Sequence, residues 1–152
     1  MSLYLGIDTS NYTTSAALYD SDSGSVFQQK MLLPVKAGER GIRQSDAVFH
    51  HTSQLPQIIS ALRAQRGDFG DIAAVGASIR PRSIDGSYMP CFTVGHGTAR
   101  VLSDVMGVPL GEFAHQEGHI AAAPYSAERL DLMSDRFIAI HVSGGTTEAV
   151  MA

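Results

Sequence analysis

Short apolar runs separated by turn residues dominate the first third of the chain. Leu3-Tyr4-Leu5-Gly6-Ile7-Asp8 reads as a buried strand ending on a carboxylate, and the polar stretch Thr9-Ser10-Asn11-Tyr12-Thr13 turns the chain. Thr14 to Asp20 forms a second strand, Ser21-Asp22-Ser23-Gly24 the next turn, and Val26 to Leu33 a third strand stopped by Pro34. Strands joined by turns this short make an antiparallel meander. After a loop-like stretch over 35–43 the period changes. From about Ser45 to Arg66, Leu55, Ile58, Ile59 and Leu62 fall at i, i+3, i+4 and i+7, the stripe of an amphipathic helix. Pro56 inside it either kinks that helix or opens its second half. Asp71 to Ile79 is a strand expected to run parallel to the first, 80–87 a loop, and Pro90 to Met106 a helix carrying Phe92, Val94, Val101, Leu102 and Val105. Pro109 to Phe113 is short and extended, and another helix runs from about His115 to Tyr125. Phe137 to Val142 and Thr147 to Met151 are strands around the glycine turn Ser143-Gly144-Gly145-Thr146.

This order predicts an α/β lobe over residues 1–135, with a mixed five-stranded sheet and flanking helices. Residues 136–152 read as the first two strands of a second lobe that the sequence leaves incomplete. At 152 residues, with 44% hydrophobic and 17% charged positions, the chain is long enough for a proper core. A net charge of −4 gives no electrostatic reason to expect unaided nucleic-acid binding. The single cysteine, Cys91, forms no internal disulfide and suits a reducing, cytoplasmic setting. No apolar run approaches the ~20 residues of a membrane span, so no membrane is expected as a partner.

The sharpest chemical signal is His115-Gln116-Glu117-Gly118-His119. Imidazoles four residues apart on a helix share one face, about one turn from each other, and both reach a single metal ion. Neutral imidazole is the commonest protein ligand for zinc or iron. A catalytic metal normally takes three protein ligands and an open position, so the pair leaves a third ligand to be found. In zinc peptidases a Glu directly follows the first His; here that place is Gln116. Glu117 lies ~200° round the helix from His115, which argues against a peptidase mechanism.

Two turns are candidates for phosphate. Asp8, Thr9, Ser10 and Asn11 end the first strand, and Ser143, Gly144, Gly145 and Thr146 join the last two. Glycines let backbone N–H groups converge on an anion and hydroxyls add donors, while a strand-end Asp8 can hold a metal or water nearby. Each alone is equally well a plain turn. Their repetition at the start of two strand–turn–strand units points to related lobes with a nucleotide between them. Gly95-His96-Gly97 lies inside a helix pattern and reads as close packing of that helix on the sheet. Cys91 reads as a small buried residue, His50-His51 as partly buried polar surface with one of the two able to face the cleft, and His141 as a satisfied sheet histidine.

In order along the chain, Leu5-Gly6-Ile7-Asp8-Thr9-Ser10, Val94-Gly95 with Ala99-Arg100, His115-Gln116-Glu117-Gly118-His119-Ile120-Ala121-Ala122, and Val142-Ser143-Gly144-Gly145-Thr146-Thr147 together resemble the tRNA threonylcarbamoyladenosine transferase family, long labelled O-sialoglycoprotein endopeptidase. The resemblance implies an actin/sugar-kinase/heat-shock ATPase-like (ribonuclease H-like) fold. It further implies one divalent metal, iron or zinc, on His115 and His119 with an acidic ligand from late in a second lobe, and an adenine nucleotide. It implies transfer of a threonylcarbamoyl group to an adenosine of tRNA, with tRNA engaged only through a larger complex. Partners through the first-lobe helices would be a paralogous lobe or a second copy. As a fragment of a longer enzyme the chain is expected to be inactive, with weak or absent metal and nucleotide binding. The other readings are a noncatalytic paralogue serving as a dimerisation or scaffold module and, third, a metallopeptidase. The sequence departs from the family at Asn11-Tyr12-Thr13, where acids are usual, at Gln44-Ser45 in place of Pro-Glu, and at Arg80-Pro81-Arg82 in place of Gly-Pro-Gly.

Overall fold

Strict alternation builds the centre of the sheet. In β1 (Leu3–Ser10) the side chains of Leu3, Leu5, Ile7 and Thr9 are buried while Tyr4, Gly6, Asp8 and Ser10 face the other way. The computed structural model describes residues 2–35, 41–142 and 147–152, and its contacts divide into two units, Met1–His115 and Gln116–Ala152.

In the first unit, β2 (Thr13–Asp20) and β3 (Val26–Leu32) continue the meander, and β4 (Ile72–Arg80) and β5 (Leu110–Ala114) complete a sheet of order β3-β2-β1-β4-β5. β1–β2 and β2–β3 pair antiparallel, whereas β1–β4 and β4–β5 pair parallel. The mixed five-stranded sheet is therefore as expected, including the parallel fourth strand. Each parallel step requires a crossover, and α1 (Gln44–Arg66) and α2 (Phe92–Met106) supply them.

Both helices pack on the face that carries Leu3, Leu5 and Ile7. α1 buries Ala47, His51, Gln54, Leu55, Ile58 and Leu62, the stripe read from the sequence extended by about two turns at its start, with Ile59 half-buried. It passes through Pro56 as one helix, so the proline removes one amide from the ladder without dividing the element. At its end Gly67 adopts φ 94°, a conformation that favours glycine, and its N–H caps the Arg63 carbonyl. α2 turns a stripe of small residues to the sheet: Gly95, Ala99 and Ser103 are buried, while Val101 and Val105 are 61% and 80% exposed. Small residues bring this helix axis close to β1 and β4.

In the second unit, α3 (His115–Ser126, shared at its first residue with the first unit) is followed by a 3-10 helix over Leu130–Ser134, an element that the sequence reading left out. β6 (Ile138–Val142) and β7 (Thr147–Met151) then pair antiparallel, and the pairing extends through reciprocal Phe137 and Ala152 backbone bonds. The turn between them, with its candidates Ser143, Gly144, Gly145 and Thr146, lies outside the described residues. No helix is long and apolar enough to cross a membrane among the described residues.

Candidate functional site: the β1 carboxyl end and the α3 histidines

The register of the parallel strands positions the candidates of the first unit. Ile7 pairs with Ala77, so one step on, Asp8 and Ser78 share the face opposite the helices. β5 ends at Ala114, which pairs with Arg80, and the next residue, His115, opens α3. Its ring meets the Asp8 carboxylate, with Nδ1 2.7 Å from Oδ2. The other carboxylate oxygen accepts the Ser10 N–H at 2.8 Å. Burial alone would push the Asp8 carboxyl up, but the hydrogen bond and charge of His115, with the Ser78 hydroxyl and Ser10, bring it down to about 2. The Phe92 ring lies 6.1 Å from that of His115 at 59°.

The neighbouring phosphate candidates are engaged differently. Thr9 is fully buried, and its hydroxyl donates to the Cys91 carbonyl at 2.9 Å and accepts the Gly95 N–H at 3.0 Å. Asn11 accepts a bond from the Gln44 amide at 3.1 Å, and the Gln44 carbonyl oxygen accepts the Cys91 N–H at 3.2 Å. Two departures from the family pattern, Asn11 and Gln44, are thus bonded to each other and tie the β1 turn to the start of α2. Gly95 packs against Thr9 as its glycine run implied: a Cβ there would stand 2.8 Å from the Thr9 hydroxyl oxygen.

Cys91 is fully buried, and desolvation pushes its thiol up to about 11, against two backbone hydrogen bonds that lower it. A thiol so seldom ionised is no nucleophile. Native Cys91 is expected to react with iodoacetamide at pH 8 roughly 100-fold more slowly than an unperturbed thiol, as mass spectrometry would record; fast labelling would show that the start of α2 opens.

His51 corrects the reading of His50-His51 as partly buried surface. It is fully buried between α1 and β2, bonded through Nδ1 to the Thr14 hydroxyl at 2.8 Å. Thr14 in turn donates to Gln54 at 2.7 Å, and Gln54 donates to the Leu32 carbonyl. The period that buries Leu55 and Ile58 also buries position 51, which the apolar-only pattern passed over.

In the second unit, His119 stacks on His141 with centroids 5.7 Å apart and planes at 22°. His141 was expected to be a satisfied sheet histidine. Its Nδ1 is instead buried with no hydrogen-bond partner among the described residues. The missed signal was alternation: Ile138, Ile140 and Val142 are exposed, leaving Ala139 and His141 on the half-buried side. Opposite His141 on β7 stands Glu148, which accepts a bond from Gln116 at 2.8 Å. A groove of about 730 Å³ beside these rings is lined by Ile120, Ala123, Leu132 and Ile138. Among the described residues no group of three or more His, Cys, Asp or Glu side chains is placed to hold a metal ion.

The sheet order and its crossover helices define an α/β lobe of the ribonuclease H-like, actin/sugar-kinase/heat-shock ATPase class. YeaZ from Pseudomonas aeruginosa shares this fold, with a TM-score of 0.58 and 14% identity over 99% of this chain and 64% of that one. No family model matches the chain. Among curated relatives, the tRNA N6-adenosine threonylcarbamoyltransferase of Persephonella marina is 31% identical over 147 residues, and that of Sulfurihydrogenibium sp. 32% over 148. These matches take in 95% and 97% of this chain but 40% and 41% of the relatives, so the chain spans about two-fifths of their length. By sequence the chain is similar to the N-terminal part of tRNA N6-adenosine threonylcarbamoyltransferases.

Proposed function

We propose that the chain supplies the first lobe of a metal- and nucleotide-binding protein that transfers a threonylcarbamoyl group to an adenosine of tRNA in the cytoplasm. The observation that carries this reading is the hold of Asp8 on His115. A metal-ligating histidine typically donates its other ring nitrogen to a carboxylate, which fixes the ring and raises its basicity. His115 has that arrangement, and His119 follows one helical turn later on α3. Two imidazoles are donors of the kind that iron and zinc take, with the remaining ligand to come from another part of the full-length protein. The chemistry such a metal supplies when bound is Lewis-acid polarisation of the acyl carbonyl.

The chain's own contribution is binding and orientation. His115 and His119 hold the cation, and Ser143, Gly144, Gly145 and Thr146 hold phosphate through backbone and hydroxyl donors. Asp8, Ser10 and Asn11 end β1 in a second turn of this kind, with Thr9 locking that turn to α2. Adenine nucleotide is the expected ligand, and the tRNA is reached through a larger complex, with a paralogous lobe or second copy against the first-lobe helices.

The test is metal content. The full-length protein, prepared without a histidine tag, is expected to contain stoichiometric iron or zinc, and the His115→Ala/His119→Ala double variant to contain none while unfolding at nearly the same temperature. The 152-residue chain is expected to bind metal weakly and to show no transfer. A metal-free wild-type full-length protein would overturn the reading and favour a scaffold role.

A further inference from the structure

Asp8 reads from the sequence as a phosphate-side residue, yet its carboxylate closes on the first residue of α3. Oδ2 lies 2.7 Å from His115 Nδ1, and Oδ1 accepts the Ser10 N–H at 2.8 Å. We propose that Asp8 is a positioning residue that holds the His115 ring as its Nδ1–H tautomer, leaving the lone pair on Nε2 as the one able to bind a cation. Only that last step rests on the metal reading above.

The geometry fixes both partners. Asp8 sits on a central strand with β2 and β4 paired to either side of β1, so its backbone has little freedom. Its carboxylate accepts from the β1 turn through Ser10 and from β4 through Ser78. An ionised carboxylate is acceptor-only, so the proton in the bond to His115 belongs to the imidazole. Which nitrogen of a histidine carries the proton is set by the bond the other makes. The Phe92 ring, whose side chain is buried, stands 6.1 Å from the imidazole and restricts its swing. A carboxylate committed in this way is also a poor neighbour for a phosphate, because like charges at short range repel. That moves Asp8 from the phosphate group of residues to the support of His115.

The experiment is nitrogen-15 NMR of the ring nitrogens in the metal-free 152-residue chain at pH 8, followed by zinc titration observed through the same signals. The wild type is expected to show His115 protonated at Nδ1. Asp8→Ala is expected to move the proton to Nε2 or to a mixture and to weaken zinc binding by 10–100-fold, the usual consequence of losing such a partner. Asp8→Asn, whose amide oxygen still accepts, is expected to restore much of the wild-type tautomer, and the thermal transition of each variant controls for folding. An unchanged tautomer in a folded Asp8→Ala overturns the proposal. So does a changed tautomer with undiminished zinc affinity. A wild type that takes up no zinc but loses its Nδ1–H tautomer in Asp8→Ala supports the hold of Asp8 on the ring, and the metal content of the full-length protein then decides the metal reading.

Discussion

Gly95→Ala is expected to destabilise the protein by about 1–3 kcal/mol, whereas Gly97→Ala, two residues along the same helix, is expected to stabilise it by roughly 0.5–1 kcal/mol. Both replacements improve helix propensity, so the difference in sign comes from packing. A Cβ at position 95 would lie 2.8 Å from the Thr9 hydroxyl oxygen and 3.2 Å from methyl carbons of Ile7 and Thr9. None of these is the end of a long, flexible side chain. Thr9 is β-branched, fully buried and bonded to both Cys91 and Gly95, so moving it breaks buried hydrogen bonds worth about 1 kcal/mol each. At position 97 a Cβ meets nothing within 4 Å. Chemical denaturation of the two variants checks the pair, and a Gly95→Ala as stable as wild type would show that α2 can lift from the sheet at no cost. The consequence reaches the candidate site, because the Thr9 bonds fix the end of β1 from which Asp8 projects to the other face.

The strands were legible because both of their signals are local. Alternation in Leu3-Tyr4-Leu5-Gly6-Ile7 and the turn at Ser21-Asp22-Ser23-Gly24 specify a meander between Leu3 and Leu32, and the structure pairs its strands antiparallel. α2 shows where local reading stops. Its large apolar residues, Val101 and Val105, draw the eye, but the sheet takes the small stripe Gly95, Ala99 and Ser103. Which face packs is decided by how closely the helix approaches Thr9, a residue 86 positions away from Gly95, and no window of the sequence contains that distance. The 3-10 helix over Leu130–Ser134 was missed for a related reason: it is a single short turn whose residues carry no period.

The candidate site was legible as residue types and hidden as partnerships. The spacing of His115 and His119 marks them as a pair on one helix, and nothing in that spacing predicts that His115 answers to Asp8, 107 positions earlier. The parallel strands β1, β4 and β5 make that pairing by carrying Asp8, Ser78 and Ala114 to the same end of the sheet. Asn11 and Gln44 looked like independent departures from the family pattern, whereas their hydrogen bond couples the two positions. His51 was read as partly buried surface and His141 as a satisfied sheet histidine, yet each has a ring nitrogen buried without a hydrogen-bond partner among the described residues. An imidazole is the one side chain whose surroundings cannot be guessed from the sequence pattern, because it is apolar enough to be buried and polar enough to matter there.

Acid is expected to weaken the fold in two separable steps, one below about pH 6.5 and one between about pH 4 and 2. The upper step belongs to His51. Burial lowers its affinity for a proton, with a further small push from His50, and the charge of Asp8 and the Ser10 carbonyl only partly offset this. The unfolded chain therefore binds a proton first as pH falls through 6.5, and stability declines until the folded-state value is passed. Its Nδ1 bond to Thr14 survives protonation, so the cost falls on the buried Nε2, which the Ser10 carbonyl helps only in part. The lower step belongs to Asp8, whose carboxyl is held at about 2 against a usual 3.8. Here too the unfolded state takes the proton first, so the stabilisation is complete above pH 4 and lost by pH 2. Integrated over that window the loss is about 2 kcal/mol, a usable figure because the Asp8 side chain is only 24% exposed. Urea unfolding measured from pH 8 to pH 2 resolves the two: Asp8→Asn is expected to flatten the lower limb and leave the upper, and His51→Asn the reverse. Equal slopes below pH 4 in wild type and Asp8→Asn would mean that the carboxylate is not held by His115 in solution. The β1–α3 connection proposed to orient a cation would fall with it.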